Sequence, residues 1–459
     1  MSTMESSTSC VFRNFEELVA HGQSEARRDA LRIVGEGILG GDPGRGTRRL
    51  VRRDGDLLYI EDDVLDLREY EHVYVVGSGK GAFPIAEALE ETLGDRIDEG
   101  VVVVKKGEKR RLERIEVFEA GHPIPDAESV EGARRIVSLL GKLRQNDLVF
   151  AAITGGCSAL TTLPPDGVAL SEIGALTDML LKCGAIIQEI NAVRKHLCLV
   201  KGGRLAERFH PARAFTLTLN TAPEGMPWPD MCLPDPTTFQ DAVEVLKRFD
   251  IWNRVSSSIV SHLEKGLVSP EMETPKNLDG VRNRIISVAD PWSMCESAAS
   301  EAKRLGYIPA VLGVKLEGEA KELGCFFAGI AKEVAGWRRP FPPPCAIISG
   351  GETTVTIRDN PGRGGPNQET VLGFANKFRD VDRQVVCISV DSDGTDGPTD
   401  IAGGIADAQT YGRVAKMGLR IDSYLKEHNS AELLEKLGDT LVTGHTGTNL
   451  MNLRLVLVK

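Results

Sequence analysis

The sequence predicts an α/β protein made of two α/β units. Three observations carry that expectation. A short apolar run, a glycine-rich turn and a helical pattern follow one another twice, at EHVYVVGSGKGAFPIAEALEETL and at DLVFAAITGGCSAL. Apolar, β-branched runs alternate with amphipathic helical stretches along most of the chain, the pattern of βαβ units around a largely parallel sheet. Glycine is abundant, at 48 of 459 residues, while aromatics make up only 5%, which suits many tight strand-to-helix loops.

In chain order, residues 1–68 read as helical and connecting. Strands are then expected at VYVVGS, at VVVVKK (101–106), at DLVFAAI and at FTLTLN (215–220), separated by helices such as SVEGARRIVSLLGKL and LTDMLLKCGAIIQEINAVRKHL. Together these make a Rossmann-like N-terminal domain over 1–245. Residues 246–340 read as a helical connecting region with two strand candidates, VRNRIISVAD and YIPAVLG. The proline-rich RRPFPPPCAI (338–347) reads as the linker to a third segment, 341–459, with strands at CAIISGG, TVTIRD, QVVCISV and LRLVLV.

Composition narrows the function. A formal net charge of −11 argues against general nucleic-acid binding, which needs a basic surface. No apolar run approaches the roughly 20 residues of a membrane span. The N-terminus has no basic-then-apolar leader pattern, and the nine cysteines are scattered without CxxC pairs or zinc spacing. The expectation is a cytoplasmic protein with reduced thiols.

Four stretches carry candidate chemistry. GSGKGA places Gly77, Gly79 and Lys80 between a strand and a helix, where backbone N–H groups and a lysine suit an anion. As a dinucleotide fingerprint it lacks the expected acidic residue about 20 positions on, the next strand ending instead in Lys105 and Lys106. It is not a Walker A loop either, since Tyr74 and Gly81 occupy diagnostic positions. TGGCSAL offers Gly155, Gly156 and Ser158 at a second strand-to-helix turn. Cys157 in that turn lacks the histidine partner a catalytic thiol wants. EINAVRKHLCLVKGGRLA, read as one helix, gathers Arg194, Lys201 and Arg204 on one face, with Glu189 and Asn191 one turn earlier. Clustered cations repel unless an anion or carboxylates offset them. Finally, DSDGTDGPTDIAGG (391–404) holds four aspartates in ten residues and fails the calcium-loop spacing at its last ligand.

Taken together, VVGSGKGA, AGHPIPDAES, TGGCSAL, GAIIQEINAVRKHLCLVKGGRLA, PDPTT, SGGETTVT, GGPNQE, DGTDGPTDIAGG and TGHTGTN resemble the class II glycerate kinases, the glycerate 2-kinases whose C-terminal part is the MOFRL domain. The resemblance spans nearly the whole chain. It implies a Rossmann-like N-terminal domain, a mixed-sheet MOFRL-type C-terminal domain and an active site in the cleft between them. It implies ATP-dependent, Mg2+-assisted phosphorylation of the 2-hydroxyl of D-glycerate or a related small hydroxy acid. The partner expectations are that small molecule and ATP, a homodimer, and neither nucleic acid nor membrane. Carried over residue by residue, it implies Lys80, Arg194 and Lys201 as catalytic. It implies substrate or phosphate contacts at Gly77, Gly79, Gly155, Gly156, Ser158, Glu189, Asn191, Lys195, Arg204, Asn367, Glu369, Asp393, Asp396, Thr446, Thr448 and Asn449, with metal ligation by Asp393 and Asp396. Asp400 belongs to the same loop.

This chain departs from the family pattern at three places. Cys157 stands in a loop that is otherwise glycine-glycine-glycine-serine. NTAPEGMPWPDMCLPDPTT, beginning Asn220-Thr221, replaces a longer acidic run that ends Ala-Ser-Gly-Pro-Thr. Pro366 replaces an arginine, with Arg363 the nearest substitute cation. Two other readings stay open: an NADP-linked hydroxypyruvate reductase, and a family member that binds a metabolite or nucleotide without turnover.

Overall fold

The structure is a computed structural model that describes residues 11–107, 110–220, 228–357, 361–379 and 383–459. The chain forms two compact units, one continuous (46–288) and one assembled from two segments (1–45 and 289–459). These boundaries differ from the three consecutive segments expected above.

The continuous unit opens with a feature the sequence reading passed over. Three short strands, β1 (Val51–Asp54), β2 (Leu57–Ile60) and β3 (Asp63–Asp66), form an antiparallel meander inside the stretch expected to be helical and connecting. The main sheet follows: β4 (His72–Ser78), β5 (Glu99–Lys105), β6 (Ile115–Ala120), β7 (Asp147–Ile153), β8 (Arg213–Leu219) and β9 (Arg282–Ala289). Their order is β6-β5-β4-β7-β8-β9, and β6, β5, β4, β7 and β8 pair in parallel. Helices cover both faces, so β4, β5 and β7 are apolar almost throughout: Val75, Val102 and Phe150 are buried on one side, Val76, Val103 and Ile153 on the other. The sheet grows outward in opposite directions from β4 and β7, so the chain reverses its winding there. In open parallel sheets, ligands bind beyond the strand C-termini at such a reversal.

The second unit carries a mixed sheet. Its strands are β10 (Ile308–Gly313), β11 (Cys345–Gly351), β12 (Val385–Asp391), β13 (Gly403–Asp407), β14 (Thr440–Leu441) and β15 (Asn452–Val458), in the order β10-β11-β15-β12-β13-β14. Only β10 and β11 pair in parallel; every other pairing is antiparallel. The segment expected as strand TVTIRD is not one: Thr354 makes an isolated bridge to Glu319, and 358–359 lie outside the described residues. The proline-rich stretch 338–347 is no domain linker. It joins the helix Ala320–Trp337 to β11 inside this unit.

The helix Ser24–Gly40 belongs here because of buried charge. Arg27, fully buried, pairs through Nε with Asp407 at 2.5 Å and through Nη1 with Asp439 at 2.8 Å, and Asp439 also meets His21 and Arg413. A buried arginine paired with two buried carboxylates specifies where the segment docks, since any one partner left unpaired is costly.

Candidate functional site

The loops that follow β4 and β7, at the winding reversal, form one structure. Lys80 N–H donates to Gly155 O at 2.8 Å, Gly81 N–H to Thr154 Oγ1 at 2.9 Å, and Thr154 N–H to Ser78 O at 2.9 Å. Gly79, at φ +130°, leaves no room for a side chain: a Cβ there would lie 2.2 Å from Thr154 Oγ1. A Cβ on Gly77 would press on Ala152. These two glycines therefore serve the close approach of the loops, and the open backbone is Gly155, whose Cβ position meets nothing within 4 Å. Gly156, left-handed at φ 91°, starts the short helix Cys157–Leu160 and packs against His122 and the Lys80 side chain.

Cations surround this loop. Arg194, at the end of the helix Ile187–His196, reaches Ser158 through Nη2 at 3.3 Å to Oγ and 3.4 Å to O. Lys201 is buried, and among the described residues its Nζ makes one long hydrogen bond, to Thr162 Oγ1 at 3.4 Å. Burial, and then the neighbouring Arg194 charge, bring its ammonium down to about 8. Burial, and then the Lys80 and Lys105 charges, push the His122 imidazole below its ordinary value, so it stays neutral to lower pH than a free imidazole. The expected single helix from 189 to 206 is broken: it ends at His196, and Gly202 and Gly203, at φ 60° and 83°, turn the chain before Arg204–Glu207. Lys201 and Arg194 still meet, through that turn rather than along a helix face.

Other members of the cationic signature are spent on the fold. Glu189 accepts from Ile186 N–H at 2.9 Å, capping its own helix, and pairs with Arg248. Lys195 forms an ion pair with buried Asp235 at 3.1 Å. Arg204 donates to the carbonyls of Lys195, Cys198 and Met272. Asn191 is partly exposed beside Arg194's helix turn. Lys106, needed free by a ribose-phosphate reading, is held by Asp126 at 2.7 Å and Glu128 at 3.2 Å.

Two family departures fall where they do least harm. The Cys157 side chain is fully buried in the core beneath the sheet, and burial pushes its thiol far up, which suits packing and not nucleophilic attack. Pro366 is the first residue of the helix Pro366–Lys377, a position whose N–H has no helical partner. Of the third departure, Asn220 is exposed after β8, and Thr221 lies outside the described residues.

The aspartate loop of the second unit is built differently. Asp396 is buried and accepts from Asn367 N–H at 3.0 Å, Asn367 Nδ2 at 3.0 Å and Gln368 N–H at 2.9 Å, at the start of the helix Pro366–Lys377. Burial outweighs those bonds and raises its carboxyl to about 6. Asn367 also bonds Asn452 and Ser389, and Glu369 is buried against His428 at 2.8 Å. Thr446 donates to Ser392 O, Thr448 to Gly41 O, and Asn449 is partly exposed. Asp393 accepts from Thr395 N–H at 2.9 Å in a tight turn, and Asp400 is exposed. Asp391 is pushed well up by burial and then by Asp393, with Glu352 and Asp396 adding to it. Two residues escaped the sequence reading. Buried Arg454 on β15 faces Glu352, Asp396 and Asp391, and burial lowers its guanidinium to about 10. His122 sits in a quoted motif, but nothing in the sequence marks it as packing on Gly156. Among the described residues no three His, Cys, Asp or Glu side chains are grouped to hold a metal ion.

The comparisons agree with this architecture. The family model described as Domain of unknown function (DUF4147) matches residues 29–264, and that of the MOFRL family matches 345–452. A glycerate 2-kinase of Pyrococcus horikoshii is 42% identical over 437 residues, 95% of this chain and 98% of that protein. A putative hydroxypyruvate reductase of Agrobacterium vitis is 36% identical, covering 84% of this chain and 98% of that protein. The crystal structure of a glycerate kinase from Thermotoga maritima superposes with a TM-score of 0.84 at 37% identity, covering 95% of this chain and all of that one (100%).

Proposed function

The chain belongs to the glycerate kinase family that joins a DUF4147 domain to a MOFRL domain, a family of kinase-type enzymes, and from that premise we propose that it transfers the γ-phosphoryl group of ATP to the 2-hydroxyl of D-glycerate or a closely related small hydroxy acid. The observation that carries the proposal is the ring of Lys80, Arg194 and Lys201 around the open backbone of 155–158, at the winding reversal of a parallel sheet. Phosphoryl transfer asks for positioning and charge stabilisation more than for covalent chemistry. The bond from the γ-phosphorus to the β,γ-bridging oxygen breaks as the bond to the acceptor oxygen forms. ADP leaves with the electron pair, and the proton of the acceptor hydroxyl passes to solvent water. The cations stabilise the negative oxygens throughout, and an arginine suits the carboxylate of a hydroxy acid.

Magnesium fits the donor chemistry of the second unit. Asp391 and Asp393 lie together with Glu352 nearby, negative groups whose mutual repulsion a hard cation relieves. Magnesium held by one or two carboxylates plus phosphate oxygens needs no three-carboxylate cluster. When bound, it supplies charge neutralisation on the phosphates. In this reading Asp391 and Asp393 hold the ion, while Asp396 shapes the loop.

The test is direct. Protein with ATP, Mg2+ and D-glycerate is expected to release ADP, with 31P NMR placing the new phosphate on the 2-oxygen. NADPH oxidation with hydroxypyruvate, run in parallel, is the outcome that replaces this reading with the reductase one, for which relatives bearing that name speak. No turnover of any hydroxy acid, with a melting shift on adding ATP, leaves a binding-only protein.

A further inference from the structure

The inference concerns His122, and it rests on the kinase reading given above. His122 lies in AGHPIPDAES, a motif which that reading leaves without a role. It follows β6, so its turn stands at the C-terminal edge of the parallel sheet, as do the loops after β4 and β7. The turn is firmly built. Gly121 N–H donates to Asp126 Oδ1 at 3.0 Å, and a Cβ on Gly121 would lie 2.6 Å from both Asp126 Oδ2 and Ile124 O. Asp126 in turn caps the helix Ala127–Leu140, accepting from Ser129 N–H at 2.9 Å, and pairs with Lys106 at 2.7 Å.

This turn carries the imidazole onto the glycine loop. The Cβ position of Gly156 lies 3.0 Å from His122 Nε2 and 3.5 Å from Lys80 Cγ. Ring and lysine stem therefore meet over one backbone position, next to the open Gly155. Neither ring nitrogen has a hydrogen-bond partner among the described residues, and the side chain is partly exposed. A ligand cradled by the open backbone has this ring within its reach. The charged groups that face the imidazole are Lys80, from the loop after β4, and Lys105, at the end of β5; with burial, they favour its neutral form. The other groups about 155–158 suit a different task. Lys80, Arg194 and Lys201 are cations that stabilise phosphoryl oxygens, and the Cys157 thiol is buried in the core. A neutral imidazole adds what these lack, a proton acceptor.

We propose that His122 is a further catalytic residue, the general base whose Nε2 takes the proton of the acceptor hydroxyl and hands it on to solvent. The hydroxyl O–H bond breaks as the N–H bond forms, and the freed oxygen pair makes the bond to the γ-phosphorus. The imidazolium then returns its proton to water, which resets the ring for the next turnover.

The experiment compares two pH profiles of the full-length protein. ADP release with ATP, Mg2+ and D-glycerate is followed across pH, and the His122 ring of the free protein is titrated by 15N NMR. Since kcat/KM reports the groups of the free enzyme, its acid limb is expected to share the NMR midpoint of His122, below that of a free imidazole. Midpoints that differ by about 1 pH unit or more overturn the proposal, and this comparison needs no variant. In His122→Asn, kcat is expected to drop by about 10²-fold or more at an unchanged melting temperature, with the acid limb lost. A drop of less than about fivefold, or an acid limb that stays, overturns it. Imidazole added to His122→Ala is expected to restore part of the rate, and a folded variant that gains nothing assigns the ring to packing and overturns the proposal. A wild type that releases no ADP sinks the kinase reading and the base with it. A wild type that turns over beside an unimpaired His122→Asn sinks the base alone.

Discussion

The two units treat charged side chains in opposite ways. In the continuous unit the cations around 155–158 are loosely held: Arg194 and Lys201 make contacts of 3.3–3.4 Å, and Gly155 is open. In the two-segment unit the signature residues are consumed. Asp396, Asn367 and Glu369 are buried and bonded to one another's neighbours. A motif residue can therefore serve a site either by meeting the ligand or by fixing the loop that does. Partner distances tell the two apart where residue type does not.

The largest effect is expected where the second unit is held together. Arg27→Met leaves Asp407 without its buried partner and weakens Asp439, and is predicted to destabilise that unit by about 3–5 kcal/mol. Denaturant unfolding should show the transition of this unit shifting while that of 46–288 stays. A common shift of both transitions contradicts the division into two units. In the same spirit, a fragment of residues 46–288 should give cooperative unfolding by itself, and one of 289–459 lacking residues 11–45 should not.

Next comes the cation ring. Lys80→Ala is predicted to lower kcat by about 10²–10³-fold, the usual loss for one preorganised charge-stabilising donor, with an unchanged melting temperature. If kcat falls by less than about fivefold, Lys80 is outside the charge-stabilising set and the contrast between the units weakens.

Asp396 tests the other half. Its folded carboxyl lies near 6 against an ordinary 3.8. Between those values the folded state binds more protons than the unfolded one, so stability falls as pH rises through about 4 to 6 and levels off above. Relative to Asp396→Asn, which cannot titrate, the wild type should lose about 2 kcal/mol over that window. Equal slopes in the two proteins would mean that Asp396 is ionised throughout and free for a ligand, against the view that it shapes the loop.

How far the sequence reached is clear from particular elements. The strands of both sheets were legible where both faces are buried, as at VVVV and DLVFAAI, because such runs have few alternatives. β6 and the β1–β3 meander were not, since IEVFEA and DVLD alternate with charge and read as helix or connection. The domain boundary was hidden for another reason: Arg27 meets Asp407 across 380 residues, and no local pattern records that. At the site, glycine loops and cations were visible as types. Which cations stay loosely held depends on Asp235 and on the carbonyls at the helix end near 195–198, again distant partners.

The smallest expected effect concerns the arginine nearest Pro366. Sequence alone makes Arg363 the natural replacement for a lost catalytic cation, three residues before the proline. Its guanidinium instead donates to Glu435 at 2.8 Å, and 61% of the side chain is exposed. An exposed pair of this kind contributes little to stability and aims the charge along the surface. Arg363→Ala is therefore predicted to change kcat/KM by less than about twofold, whereas a transition-state arginine costs far more. A drop of a hundredfold or more would show that Arg363 leaves Glu435 when substrate binds. The second unit would then, like the first, keep a cation in reserve for the ligand.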